Sequence, residues 1–308
     1  MDFLNLLARL ADLDTTALPA AAPRRAALGR LGQAGTALLP ALLFAGALPQ
    51  PAAAAPQDTR TRLDVLLLAR QISVFENEFY SQALGLVAGV AAVPLSATEK
   101  TAVQTLQQQE ALRVALFSKL ITDGGATLPT APRYDFTGSK NGTKAALYPD
   151  LQTSPDTFLR VAQLLEDAGG RALLGQAEYV RNDGYLFEAV VRAQSVEARH
   201  ASHIRTMRRQ RGATVKSWVS PADAAITTAG TVAAKVYEGE SNTVQVYTTT
   251  ATATVAAATV SVPFSSTLPI NVGTPPLTPA GILEKVAEAF DEPFDAIVYT
   301  NLADLFTY

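Results

Sequence analysis

The chain contains no cysteine and only two histidines, His200 and His203, among its 308 residues. The lack of cysteine excludes disulfide bonds, thiol catalysis and zinc–thiolate sites. Two histidines are too few for a site built from several imidazoles, so any metal must be held mostly by carboxylates, a ligand type that suits iron or manganese. Charged residues make up only 17% of the chain and the formal net charge is −3. This balance gives no electrostatic case for nucleic-acid binding.

Apolar residues are plentiful, at 48% of the chain, and they recur at alternating spacings of three and four in the region 57–212. Such spacing places them on one face of an α-helix. Between the second and third such helices, residues 124–154 show no sustained period. We therefore predict an all-α four-helix bundle with a long crossover between helices 2 and 3. The predicted helices cover 60–90, 97–122, a stretch starting at Pro155, and a stretch that begins between Glu178 and Asp183 and ends at Gly212.

The fourth predicted helix carries a carboxylate and an imidazole on its apolar stripe. Glu197 and His200 are three residues apart, so they point the same way. Burying such groups without partners is costly, so the other helices should bring polar groups to the same level. A Glu from each of two helices and a Glu-x-x-His from each of the other two form the ligand set of a carboxylate-bridged di-metal centre. The polar residues on the other three stripes are Ser73, Glu76 and Tyr80, then Glu110 and Arg113, then Glu166.

Other polar residues of the fourth helix are interpreted as structural. His203 is expected on the solvent flank of the helix. The run Arg205, Arg208, Arg209 and Arg211 is interpreted as a solvated helix end that complements the helix dipole.

Residues 1–56 resemble an export signal. Arg24 and Arg25 precede an uncharged apolar run, 36–48, which is followed by four alanines. This order is typical of a twin-arginine signal and predicts an exported, periplasmic or envelope-associated protein. The alternative is a cytoplasmic protein whose Ala-rich helix packs on the bundle and is never cleaved. The apolar run is too short, and too interrupted by Gly and Pro, for a stable membrane span.

Residues 213–308 differ in character from the bundle. Threonine is dense there, and the alternating stretches 244–250 and 259–262 predict a small β-like arm. A short terminal helix is predicted over 280–290. The chain ends in aromatic residues that are expected to dock onto the rest of the protein, namely Tyr299, Phe306 and Tyr308.

Several motifs resemble the ferritin-like proteins of the desiccation-related type, an exported branch of the ferritin-like superfamily. The similarity runs from about residue 60 to the C-terminus, and its most specific pieces are Glu197-Ala-Arg-His200 and Ala289-Phe-Asp-Glu-Pro293. The other stretches that carry it are Phe75–Tyr80, Tyr134–Gly138, Leu165–Gly169 and Val236–Asn242.

This resemblance implies a di-metal centre, from which the chain departs at two positions. In the superfamily pattern the first-helix ligand lies seven residues before a tyrosine, and Ser73 stands there. The second helix should carry Glu-x-x-His, but Arg113 replaces the histidine. An arginine stays protonated and cannot ligate a metal. The metal-ligand roles that carry over are those of Glu110, Glu166, Glu197 and His200, with Glu76 as a substitute for the position of Ser73.

Three interpretations of the centre follow: a metal-free remnant, a single or weak metal site, and a working di-metal centre. The first predicts that Arg113 lies within ion-pair reach of Glu110, Glu166 or Glu197. The favoured function is a non-catalytic exported protein of stress or envelope type, which acts by binding or scaffolding and has no catalytic residue. The alternative is a di-iron or di-manganese oxidase or ferroxidase. A protein or envelope partner stays undefined, and homo-oligomerisation is left open.

Overall fold

Four long helices dominate the structure, a computed structural model that describes residues 60–248, 259–263, 279–289 and 291–308. The export-like tract 1–56 lies outside the described residues. An all-α architecture, predicted from the spacing of apolar residues, is confirmed for the bundle. The helices are α1 (Arg62–Ala83), α2 (Ala97–Asp123), α3 (Pro155–Gln176) and α4 (Gly184–Gln210).

Local capping sets where these helices begin and end. Ser96 and Glu99 form the predicted capping box at the start of α2, and Thr61 forms one with Asp64 at the start of α1. The prediction that the first helix reaches residue 90 was wrong. Gly85 adopts a φ of +70°, in the left-handed region that glycine tolerates best, and the chain turns away there.

Packing within the bundle is most extensive between α1 and α2 and between α3 and α4. Helix α3 is the most buried of the four, with 17 of its 22 residues inaccessible. One face of α3 meets the bundle interior, and residues near the C-terminus cover the opposite face. Both faces of α3 can therefore carry buried charges, which an amphipathic surface helix does not permit.

Residues 124–154 connect α2 to α3 without a helix or strand. Asp135 organises this connection, because its carboxylate accepts hydrogen bonds from Thr137, Ser139 and the backbone of Asn141. The backbone N–H of Asp135 donates to the carbonyl of Phe306 at 2.8 Å, which joins the connection to the C-terminus. The crossover topology stays a prediction.

After α4 the chain forms a 3₁₀ turn, a hairpin and two short helices. Strands β1 (Val244–Thr248) and β2 (Thr259–Pro263) pair antiparallel, with Val244 opposite Pro263. Helix α5 (Pro279–Ala289) matches the predicted terminal helix closely. Helix α6 (Ala296–Asp304) has only nine residues and was not predicted. The arm, and the predicted domain boundaries at 57 and 213, stay predictions.

Two of the three terminal aromatic residues dock onto the rest of the protein as expected. Tyr299 and Phe306 are fully buried, whereas Tyr308 is exposed. Phe306 packs against Phe136 and Tyr148, both from the connection between α2 and α3. No helix among the residues that the structure describes is both long and apolar enough to cross a membrane.

Arg171 attaches α3 to two stretches, residues 233–240 and 291–308, which we call the C-terminal segment. Its guanidinium donates hydrogen bonds to the backbone carbonyls of Val236, Glu238 and Glu292. It also forms an ion pair with Glu240 at 2.9 Å. Only 2% of Arg171 is exposed, so these contacts are made out of reach of water.

Candidate metal centre

The five predicted ligand residues all lie inside the bundle, one or two on each long helix. Each apolar stripe turns its polar residues inward with it, so the four glutamates are completely buried and His200 is 3% exposed. The residues are Glu76 on α1, Glu110 on α2, Glu166 on α3, and Glu197 and His200 on α4.

Four of these residues come together closely enough to hold one metal ion. Glu110, Glu166, Glu197 and His200 each offer a ligand atom, and these atoms lie within 4.8 Å of one another. The Nδ1 atom of His200 lies 3.3 Å from a carboxylate oxygen of Glu110 and 3.3 Å from one of Glu166. Carboxylate oxygens and a neutral imidazole nitrogen are a donor set that suits iron or manganese.

Gln109 fixes the tautomer of His200. The Nε2 atom of His200 lies 2.8 Å from the side-chain carbonyl oxygen of Gln109, which can only accept a hydrogen bond. With the Gln109 amide in this orientation, Nε2 carries the proton and the Nδ1 lone pair faces the carboxylates. Burial lowers the pKa of His200 to about 4, so the ring is neutral near pH 7. A lone pair that faces carboxylate oxygens is unfavourable unless a cation or a proton lies between them.

Arg113 supplies a permanent positive charge at this level of the bundle. Its NH2 group forms an ion pair with Glu110, and the same nitrogen lies 3.1 Å from each carboxylate oxygen of Glu197. The prediction that Arg113 would reach at least one of these glutamates is confirmed. The guanidinium joins α2 to α4, which otherwise touch little. It stands at the position where the resemblance described above predicts a metal-binding histidine.

Glu76 is buried beside the cluster but is not one of its four close members. Neither of its oxygens accepts a hydrogen bond from an N–H or hydroxyl donor in the described part of the chain, and the carboxyl group of Glu197 lies within hydrogen-bond range of it. Glycine at position 169 makes room for it, because a Cβ there would lie 2.7 Å from Glu76 Oε1. The absence of a side chain at Gly169 on α3 thus leaves the space that the carboxyl group of Glu76 on α1 occupies.

Burial raises the carboxyl pKa values throughout the cluster. Burial, followed by repulsion from Glu197 and Glu166, raises the pKa of Glu76 well above its usual range. Burial likewise raises the pKa of Glu166 and of Glu197 to about 7, against the pull of Arg113. Protons must therefore remain on part of the cluster when no metal is bound, and a cation would displace them.

The two remaining polar residues of the predicted stripe have clear partners. Tyr80 donates a hydrogen bond to Glu166, which orients that carboxylate from α1. Ser73 donates its hydroxyl to the backbone carbonyl of Ala69, 3.2 Å away in the same helix. The hydroxyl of Ser73 is thus engaged with its own helix.

A second buried charge cluster was missed by the sequence reasoning. Arg205 was expected at a solvated helix end, and that expectation was wrong, because only 1% of the residue is exposed. Its guanidinium pairs with Asp167 of α3 and, at 2.9 Å, with Asp223. Tyr237 donates a second hydrogen bond to Asp167 at 2.7 Å. His203 is exposed, as expected.

Residues 61–210 match a family model described as a ferritin-like domain. The match runs from the N-cap of α1 to the end of α4 and supports placement of the bundle in the ferritin-like superfamily. The bundle is thus similar to a ferritin-like domain, and its buried carboxylate and imidazole groups could hold a metal ion. Helices α5 and α6 lie beyond the matched residues. The chain has no match among curated proteins.

Proposed function

We propose that this protein is a ferritin-like bundle protein with a degenerate centre that binds one divalent cation, iron or manganese. In this proposal Arg113 takes the place of a second cation, and the centre holds the four helices together rather than oxidising a substrate. The wider role is binding or scaffolding at the cell envelope or under stress, in a protein of the desiccation-related type. The observation that carries the proposal is the Nδ1 lone pair of His200, which faces buried carboxylates with Arg113 beside them.

The charges of the centre favour one ion. Four buried carboxyl groups oppose one guanidinium, which leaves three formal negative charges. One divalent cation reduces this to a single negative charge, and one proton retained within the cluster neutralises it. A second divalent cation would add positive charge beside Arg113 and would lack the histidine that such a site requires.

Metal content tests this proposal directly. Metal-free protein, saturated with Mn²⁺ and freed of excess by gel filtration, is expected to retain one ion per chain by elemental analysis. Arg113→His is expected to retain two, because it removes the guanidinium and restores the second Glu-x-x-His. Retention of no ion by the wild type would favour the metal-free remnant. Two ions in the wild type would favour the di-iron or di-manganese oxidase.

A matched pair of variants decides whether Glu76 contributes to the same centre. Gly169→Ala is expected to weaken Mn²⁺ binding, because the added methyl would meet Glu76 Oε1 at 2.7 Å. Gly170→Ala is the control, since its methyl would meet only Glu197 Cβ at an ordinary 3.5 Å. Equal affinities for the two variants would leave Glu76 outside the binding set.

Export is part of the proposal and is supported by the order of residues 24–55 in the sequence. Replacing Arg24 and Arg25 with lysine is expected to retain the full-length chain in the cytoplasm, because twin-arginine export depends on the arginine pair. Cell fractionation and immunoblotting measure this. If the doubly substituted protein is found in the same fraction as the wild type, the tract does not act as a twin-arginine signal.

A further inference from the structure

Helix α6 brings a buried tyrosine next to the candidate centre from outside the matched ferritin-like domain. Tyr299 is completely buried, and its ring meets that of Phe75 edge-on with 6.1 Å between centroids. Phe75 directly precedes Glu76 in α1. The position of Tyr299 is therefore tied to the backbone that carries Glu76.

The hydroxyl of Tyr299 has no hydrogen-bond partner in the described residues. Buried hydroxyl groups are nearly always paired, so an unpaired one calls for a partner such as a bound ligand or water. Burial, followed by the negative charges of Glu76 and Glu197, raises the pKa of Tyr299 well above its usual value. The charged groups that act on this hydroxyl are thus the carboxyl groups of the candidate centre.

Tyr134 offers a close comparison, because it contacts the same phenylalanine. Its ring also meets Phe75 edge-on, at 4.9 Å, and its buried hydroxyl likewise lacks a partner within the described ranges. The charged groups that act on Tyr134 differ, however. Burial and Glu78 raise its pKa to about 12, with Arg70 acting in the opposite direction. Of the two tyrosines, only Tyr299 has carboxyl groups of the centre among the groups that shift its pKa, and Tyr134 is a further group that acts on it.

We infer that Tyr299 is a positioning residue of the metal centre, whose hydroxyl donates a hydrogen bond through one water molecule to the carboxylate of Glu76 and holds it toward the ion. This inference rests on the proposed binding of a cation by the cluster. It assigns part of the site to α6, beyond residues 61–210. Groups that orient a metal ligand by hydrogen bonding contribute strongly to affinity, so the hydroxyl should matter only when the ion is bound.

Tyr299→Phe tests the inference because it removes the hydroxyl and keeps the ring. The metal-free variant is expected to melt at or above the wild-type temperature, since an unpaired buried hydroxyl has been removed. Its affinity for Mn²⁺, measured by isothermal titration calorimetry on the full chain, is expected to fall about tenfold. Tyr134→Phe is the matched control and is expected to bind Mn²⁺ as the wild type does.

The outcomes separate this inference from the proposed function. Equal Mn²⁺ affinity for the wild type and both variants would overturn the role of Tyr299 and leave the metal centre standing. A metal-free Tyr299→Phe protein that melts well below the wild type would indicate a packing role and would also overturn it. Failure of the wild type to bind Mn²⁺ would overturn both proposals.

Discussion

Replacing Arg113 with methionine is expected to destabilise the metal-free protein by about 3–5 kcal/mol, the range found when one partner of a buried ion pair is removed. The guanidinium contacts Glu110 and Glu197, both of which are fully buried. Methionine fills a similar length but supplies no charge, so two carboxyl groups lose their cation. Urea-induced unfolding followed by circular dichroism measures the change.

The pH dependence of this loss has a definite sign. Without the guanidinium, the buried carboxyl groups keep their protons in the folded state to a higher pH than in the unfolded chain. The folded state then binds more protons, so its stability is present at low pH and is lost as the pH rises through the folded-state pKa values. Those of Glu166 and Glu197 are already raised to about 7 with Arg113 in place. The penalty of Arg113→Met should therefore be larger at about pH 8 than at about pH 5.

Two further measurements make the interpretation specific. Saturating Mn²⁺ should recover part of the lost stability, because the ion supplies positive charge where the guanidinium did. Arg192→Met is the control on α4, where the arginine side chain is 63% exposed and pairs with Glu188. That substitution should change stability by less than about 0.5 kcal/mol. If Arg113→Met unfolds at the same urea concentration as this control, Arg113 does not neutralise the cluster.

The residues of the candidate centre could be predicted from the sequence because each pair of them is set by the spacing of residues within one helix. Glu197 and His200 lie on one face of α4 because they are three residues apart. Glu110 and Arg113 lie on one face of α2 for the same reason. The four helices were visible from the recurrence of apolar residues, so their inward polar groups could be placed at one level. That Arg113 would pair with these glutamates followed from charge alone, because buried carboxylates need a cation.

Other parts could not be predicted because they depend on contacts between distant segments. Arg205 lies in a run of arginines that resembles an exposed helix end, and only the folded chain brings Asp167, 38 positions earlier, against it. Helix α6 has nine residues and too few turns to show a period. The apolar stripe of α3 reveals the face toward the bundle interior. The opposite face of α3 carries Asp167 and Arg171, and it is buried because the C-terminal segment covers it.

Replacing Arg171 with methionine is expected to release the C-terminal segment and to lower stability by about 3–5 kcal/mol. The substitution removes the donors of three backbone carbonyls and the charge that pairs with Glu240, which is buried as Arg171 is. Tyr299 and Phe306 are then held less firmly against the bundle. Limited proteolysis with mass spectrometry should find cleavage sites within residues 233–240 or 291–308 that the wild type protects, together with a lower urea midpoint.

Gly175→Ala acts on the same attachment without changing a charge. A Cβ at position 175 would lie 2.3 Å from the backbone carbonyl oxygen of Phe294, so the chain beside α6 must move away. The same new cleavage sites are expected, with a smaller loss of stability, because Arg171 still donates its hydrogen bonds. Lys119→Met is the surface control, since Lys119 is 73% exposed in its pair with Asp123. Wild-type protection from protease in both Arg171→Met and Gly175→Ala would mean that other contacts, such as those of Phe306, hold the C-terminal segment in place.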